Sequence, residues 1–336
     1  QVVALPHCEV KVRNLAVCWN SLVLTSTFNS KNLVSYTQSA GNPDINLVNL
    51  KSSSETTCEI SLRFETFNNL SNKLISNEWL SWFIGFTEGD GAILTTKGKP
   101  RFVLTQKEGA ILYHIQEVLG FGEVRQFDGY YRFIVKEYQS IFLLVNIFNG
   151  NLVLPHRKEQ LGKWINTLNI SENSRKELML LNLRVLNPSL EDGWLSGFTD
   201  AEGCFNVNII SRLNTITGYR VVLRFLLDQK NAESTLLQIK DLFNHGQVNL
   251  RKDTNSVYRY HNNSLKGLLP VVDYFLAYPL KTKKAESFKK WLEVLNMMLK
   301  KEHLVPSGLE KIRAIAKVIN LNNSLNNKTG SALSKP

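Results

Sequence analysis

Two stretches of this chain repeat one another. Trp82-Phe83-Ile84-Gly85-Phe86-Thr87-Glu88-Gly89-Asp90-Gly91 aligns with Trp194-Leu195-Ser196-Gly197-Phe198-Thr199-Asp200-Ala201-Glu202-Gly203. Further along, Arg101-Phe102-Val103-Leu104-Thr105-Gln106-Lys107 aligns with Arg224-Phe225-Leu226-Leu227-Asp228-Gln229-Lys230. Gly122-Glu123-Val124 then aligns with Gly246-Gln247-Val248, Tyr131-Arg132-Phe133 with Tyr258-Arg259-Tyr260, and Trp164 with Trp291. An insertion between Cys204 and Arg224 is the main departure in spacing. A duplication kept in one order restricts the fold to two similar units, each able to bury the same apolar positions.

Each copy predicts the same elements. An apolar helix runs into the acidic Gly turn. A hairpin follows, Ala92 to Gln106 and Phe205 to Gln229, with Lys97-Gly98-Lys99 and Asn214 to Gly218 as turns. Ile111, Leu112, Ile115, Val118 and Leu119 recur at helical spacing, as do Leu236, Leu237, Ile239, Leu242 and Phe243. A second hairpin and closing helices complete an α+β unit of order αββαββα, present twice. The expected segments are an extension over 1–75, a first repeat over 76–160, a linker over 161–190 carrying helices, a second repeat over 191–320 and a disordered tail over 321–336. The extension, rich in Ser, Thr and Asn, reads as short strands and loops or a partly ordered leader.

Charge is unevenly shared. The 336 residues carry 40 Lys+Arg against 29 Asp+Glu, a net charge of +11. Residues 1–75 are nearly neutral, with Lys11, Arg13, Lys31, Lys51, Arg63 and Lys73 against Glu9, Asp44, Glu55, Glu59 and Glu65. The excess therefore belongs to the duplicated part and points to a polyanion, most simply nucleic acid. A hydrophobic content of 43% excludes a wholly disordered chain. No apolar run is long enough for a membrane span. Cys8, Cys18, Cys58 and Cys204 are too scattered for a disulfide scaffold or a CxxC zinc site, and read as reduced thiols. Gln1 at the start reads as a processed end, a fragment or a continued frame. The abundance of Asn, Leu, Lys and Ile is of the kind AT-rich organellar genes produce.

Small residues lie four apart in each motif helix: Gly85 and Gly89, Gly197 and Ala201. On one face they let two helix backbones touch. Packed together, the helices would bring Asp90 and Glu202 to one place. Two adjacent carboxylates are costly unless they share a proton or a cation, and an acid at a helix C-terminus opposes the dipole. A divalent metal resolves the conflict and supplies a Lewis acid.

GFTEGDG and GFTDAEG resemble the signature of the LAGLIDADG homing endonucleases, in the single-chain form with two repeats. The resemblance covers residues 79–320, including the Gln-Lys strand ends and the closing segment Lys301–Asn320. It implies two pseudo-symmetric lobes whose antiparallel sheets form a saddle along the DNA major groove. It also implies hydrolysis of both strands at a long asymmetric site with Mg²⁺, as two or three ions whose sites Mn²⁺ or Ca²⁺ could occupy. Asp90 and Glu202 match the metal-binding acids, and the carbonyls of Gly89 and Ala201 match added ligands. Glu88 and Asp200 match an acidic position that caps the opposite helix. Gln106 and Gln229 match a position that orients water near the scissile phosphate. Lys284 matches a basic residue five past a proline. The first repeat has Gln160 there, with Arg157 and Lys158 nearby, which implies unequal cutting of the two strands.

Side chains placed to contact DNA are Thr95, Lys97, Lys99, Arg101, Lys107, Arg125, Gln126, Arg132, Asn206, Asn208, Arg212, Arg220, Arg224, Lys230, Arg251, Lys252, Arg259, Lys281 and Lys283. Strand alternation selects which of them face the groove, and the phase is not fixed by sequence. Trp82, Trp194, Trp164 and Trp291 read as core, and Cys204 as a small buried residue. The expected partner is double-stranded DNA, bound by a monomer in a mitochondrion or other organelle. The alternative is an RNA-binding maturase, with its own intron RNA as partner, or a ribonucleoprotein component of the same fold. The retained acid pair favours the nuclease.

Overall fold

The computed structural model describes residues 64–171, 179–252 and 254–330. Ser76 caps the first motif helix, α1 (Asn77–Asp90), its hydroxyl accepting the Trp79 N–H at 3.2 Å. The strands β1 (Gly91–Thr96) and β2 (Lys99–Gln106) follow, joined by Lys97 and Gly98 at φ 51° and 70°. Positive φ at both central residues matches the twist of a two-residue hairpin. Next come α2 (Gly109–Leu119), β3 (Glu123–Phe127), β4 (Tyr130–Val135), α3 (Tyr138–Phe148) and α4 (Pro155–Ser171).

The second lobe repeats this order with α5 (Trp194–Glu202), β5 (Gly203–Ser211), β6 (Tyr219–Lys230), α6 (Glu233–Phe243), β7 (Gln247–Leu250), β8 (Val257–Asn262), α7 (Leu265–Ala277) and α8 (Lys284–Leu299). A 3-10 turn, Glu302–Leu304, leads to α9 (Pro306–Gly330).

The described strands form two antiparallel four-stranded sheets, ordered β1-β2-β4-β3 and β5-β6-β8-β7. Helices cover one face of each. Ile93, Phe102, Leu104, Phe133 and Val135 bury there in the first lobe, and Phe205, Val207, Leu223, Phe225 and Tyr260 in the second. Aromatic side chains fill both cores: Phe102 meets Phe133, Phe148 and Trp164, and Phe205 meets Phe225, Phe275 and Trp291. Each such buried ring contributes about 1.5–3 kcal/mol.

Three expected boundaries shift. Residues 64–71 are helical, and Phe64 and Phe67, three apart on one face, lie in the hydrophobic core, so the first lobe begins before residue 76. Residues 1–63 lie outside the described residues. The linker does not begin at residue 161: α4 runs through it, with Leu161, Trp164, Ile165 and Leu168 buried and the Trp164 indole donating to the Leu94 carbonyl at 2.6 Å. The α4 periodicity thus belongs to the lobe. Residues 179–189, the next described stretch, carry no helix or strand and are tied to the lobe through Asn149 and Asn169, which bond Leu180, Asn182 and Met179. Finally, α9 continues past Leu321 to Gly330 where an unstructured tail was expected. Extending a helix fixes one residue per added bond, and no proline intervenes to stop it. Residues 331–336 are outside the described residues.

Candidate active site

The two motif helices touch backbone to backbone. A Cβ on Gly85 would collide with the Trp194 carbonyl, and a Cβ on Gly197 with the Trp82 carbonyl. One on Gly89 would meet the Ala201 methyl and lie 3.1 Å from Glu202 Cγ. The stripe of small residues therefore sits at the contact, and the C-terminal ends of α1 and α5 come together there. Gly91 and Gly203 continue each helix directly into a strand in extended conformation, with φ of −78° and −83°.

Asp90 and Glu202 face each other's charge at these ends. Burial pushes Asp90 upward, opposed by Lys284, by Gln106 and by Arg157. Burial, and next the charge of Asp90, push Glu202 up to about 8, against the pull of Lys284 and Arg157. Gln106 Nε2 donates to Asp90 Oδ2 at 2.6 Å. Gln106 ends β2, which leaves its amide free to turn toward the acid. Gln229 does not match it. Both pair with a tyrosine of the neighbouring strand, Gln106 with Tyr131 and Gln229 with Tyr258, but Gln229 Oε1 accepts the Lys230 N–H at 3.0 Å. Strand β6 runs on to Lys230, so the second glutamine is held on its own strand.

Basic groups attend the motif carbonyls in both lobes. Lys284 Nζ donates to Ala201 O at 2.6 Å and Thr199 O at 3.2 Å. In the first lobe Arg157 supplies this role: Nε donates to Glu88 O at 3.0 Å and Nη2 to Gly89 O at 3.2 Å, while Nη1 holds Gln160 Oε1. Counting from the proline pointed to Gln160. The longer guanidinium reaches the same backbone from two residues after Pro155, a substitution that spacing does not reveal.

Glu88 and Asp200 take a different role from the expected one. Glu88 accepts the N–H groups of Val153 and Leu154, the two residues that lead into α4 of its own lobe. Asp200 accepts the N–H groups of Lys281 and Thr282 and the Thr282 hydroxyl, at the start of α8. What crosses between lobes is an indole: Trp194 Nε1 to Glu88 at 2.6 Å and Trp82 Nε1 to Asp200 at 2.8 Å. Burial raises Glu88 to about 7 despite these donors. The tryptophans are core residues, as expected, with a second function that their apolar surroundings concealed.

The LAGLIDADG endonuclease family matches residues 83–168 and 195–295, one match in each lobe. The chain belongs to this family. A probable intron-encoded endonuclease of Neurospora crassa is 35% identical over 243 residues, 70% of this chain and 43% of that relative, so the chain spans under half of its length. Among solved structures, the LAGLIDADG meganuclease I-AabMI bound to uncleaved DNA aligns with a TM-score of 0.61 and 25% identity, over 71% of this chain and 98% of its own. I-SmaMI, bound to an uncleaved DNA target with calcium ions, shares the fold at TM-score 0.57 and 17% identity, over 72% and 98%.

The LAGLIDADG acids suit a hard divalent cation. Among the described residues no three His, Cys, Asp or Glu side chains converge to hold a metal. The oxygens that converge are two carboxylates and the carbonyls of Gly89 and Ala201, each carbonyl already accepting one hydrogen bond, from Arg157 and Lys284, and keeping a second lone pair. That set fits an ion which keeps several waters and is completed by substrate phosphate, and a cation there would favour the charged forms of Asp90 and Glu202 that burial disfavours.

Register fixes the face of each remaining candidate. Lys99, Arg101, Arg125 and Arg132 in the first LAGLIDADG lobe lie on the sheet face away from the helices. So do Asn206, Asn208, Arg220, Arg224, Lys230 and Arg259 in the second. Thr95 and Gln126 fall on the helix-side rows, because they pair with Pro100 and Tyr131. Lys97, Lys107, Arg212, Arg251 and Lys252 lie in turns or beyond strand ends and are exposed. Lys281 lies over the Trp82 ring at 5.9 Å, and the Lys283 N–H goes to Glu108. Cys204 is partly buried on the outer row of β5, and burial raises its thiol. Sequence reading passed over Asp228, which lies among the outward arginines.

Proposed function

We propose that this chain is a site-specific endonuclease that hydrolyses both strands of a long asymmetric DNA target with Mg²⁺. The meeting of Asp90 and Glu202 at the helix contact, each beside a basic group, carries this reading. Holding the basic sheet faces to a duplex brings its phosphates to the acids. Nucleic-acid binding alone has no use for two acids at that point.

Asp90, Glu202 and the carbonyls of Gly89 and Ala201 would hold the metal. When bound, a divalent cation supplies Lewis-acid stabilisation of the phosphoryl oxygens and a more acidic water. The chain's own groups do the remainder. Gln106, tethered to Asp90, is placed to orient water. Arg157 and Lys284 set positive charge beside the phosphate and offset the charge that develops on it. One chain carries both motif helices, which supports a monomer. Relatives encoded in introns, with the AT-rich composition, support an organellar intron as the source and a mitochondrion as the site of action.

The test is cleavage of joined-exon DNA lacking the host intron, in Mg²⁺. A double-strand cut is expected, and Asp90→Asn or Glu202→Gln should abolish it while leaving binding. Tight binding of the intron RNA with no cut of this DNA would replace the nuclease with a maturase.

A further inference from the structure

The outer face of the second lobe carries a carboxylate among cations. Asp228 of β6 stands opposite Arg259 of β8 in register. Its Oδ1 accepts Arg259 Nε at 2.6 Å, and its Oδ2 accepts Arg259 Nη2 at 2.6 Å and Arg251 Nη1 at 3.0 Å. An acid on a face that must approach phosphate weakens binding, so its presence calls for a specific use. Its oxygens are occupied by the two arginines, which removes it from the set of metal ligands.

The first lobe lacks this arrangement. Thr105 stands at the matching register position, opposite Arg132. The Arg132 guanidinium lies over the rings of Phe127 and Tyr130, at 5.3 and 5.1 Å, and its Nε has no partner among the described residues. The two arginines hold equivalent places in the sheets and differ in what orients them.

A guanidinium has five N–H donors. Asp228 uses the Nε side of Arg259, leaving both Nη1 hydrogens and one on Nη2. Those form the end-on fork that matches O6 and N7 of guanine in the major groove. Asp228 therefore fixes the fork without consuming it. The location is central: Leu227 pairs with Gly203, the residue after Glu202.

Resting on the endonuclease reading above, we propose that Arg259 reads a guanine close to the cleavage centre on the second lobe's side. Asp228 is the positioning residue that holds Arg259 for this contact. The corresponding base pair on the first lobe's side is read less strictly, because Arg132 has no such partner.

The test is selection by binding of the full-length chain from a randomised duplex library in Ca²⁺, followed by base preference at each position. Wild type should prefer guanine at one central base pair on one side. Arg259→Ala should lower that preference by roughly 5- to 150-fold at that base pair alone. Asp228→Asn, or Asp228→Thr with the residue of the first lobe, should weaken the same preference by roughly fivefold or more. Both Asp228 variants should also bind unrelated DNA more tightly, with a steeper salt dependence, because an acid leaves the interface. A merely structural Asp228 would lower the melting temperature and weaken all sequences alike. Enrichment of one sequence by wild type and unchanged by both Asp228 variants overturns this inference alone. Enrichment of no sequence by wild type overturns the endonuclease reading with it.

Discussion

The indole N–H of Trp194 meets the Glu88 carboxylate at 2.6 Å, across the contact between the two lobes. Trp82 and Asp200 return the same bond at 2.8 Å. Each acid thus ties the start of its own closing helix to the opposite motif helix. Replacing either tryptophan by phenylalanine keeps most of the ring packing and removes one donor to a buried acid. Burial raises both acids, so the bond lies between the neutral and charged cases, about 0.5–3 kcal/mol. Trp82→Phe and Trp194→Phe should each lose that amount in urea denaturation, with no change in the number of lobes that unfold together.

Gly85→Ala and Gly197→Ala place a methyl against a backbone carbonyl that has no rotamer to escape into. Overpacking commonly costs about 1–3 kcal/mol, and a collision with main chain belongs at or above the upper end. Both variants should also separate Asp90 from Glu202. Cleavage should therefore fall more than stability does, as read by strand breakage at a temperature where circular dichroism shows the chain folded.

The helix contact was legible because Gly85, Gly89, Gly197 and Ala201 recur at one spacing in two copies, and backbone approach has few other uses for them. The acids followed from that geometry. Arg157 was legible only as a basic residue near the expected position, because side-chain reach replaces residue position and the proline count led to Gln160. Gln229 aligns with Gln106 in sequence, but the alignment does not show that its side chain bonds its own strand instead of the motif acid. The Asp228 ion pair is not legible in the sequence because it forms across strands, with Arg259 thirty-one residues away.

Glu202 titrates near 8, well above an ordinary glutamate, with burial as the main cause and Asp90 as the next. A carboxyl whose pKa is raised on folding contributes stability below about pH 4.5, its unfolded value, and loses that contribution as pH rises toward 8. Without metal, the melting temperature should fall between pH 5 and 8, roughly. Adding Mg²⁺ should raise it more at the upper end, where the carboxylates are charged, than at the lower. Glu202→Gln should flatten both responses in calorimetry.

Arg157 and Lys284 attend opposite motif carbonyls, so removing one should impair one strand's cut first. Arg157→Met and Lys284→Met should each slow a single, opposite strand by about 10²-fold, the scale for losing one donor to developing charge. A supercoiled plasmid carrying the target would then accumulate as nicked circle, and end-labelled duplex would show which strand remains whole. Equal slowing of both strands by either variant would contradict this division of labour.

The first hairpin of the second lobe is longer than that of the first. β5 and β6 have 9 and 12 residues against 6 and 8 for β1 and β2. At about 3.3 Å per residue the added three to four residues extend the sheet by roughly 10–13 Å. That is about three to four base pairs of duplex at 3.4 Å each. Arg212 and Arg220 stand near the end of the added length, both exposed. A hydroxyl-radical footprint should therefore reach about three to four base pairs further from the cut on one side than on the other. Replacing residues 210–220 by a two-residue turn like Lys97-Gly98 should shorten that side alone and leave the position of the cut unchanged. Loss of protection on both sides would place the hairpin in the lobe's stability instead of at the end of the target.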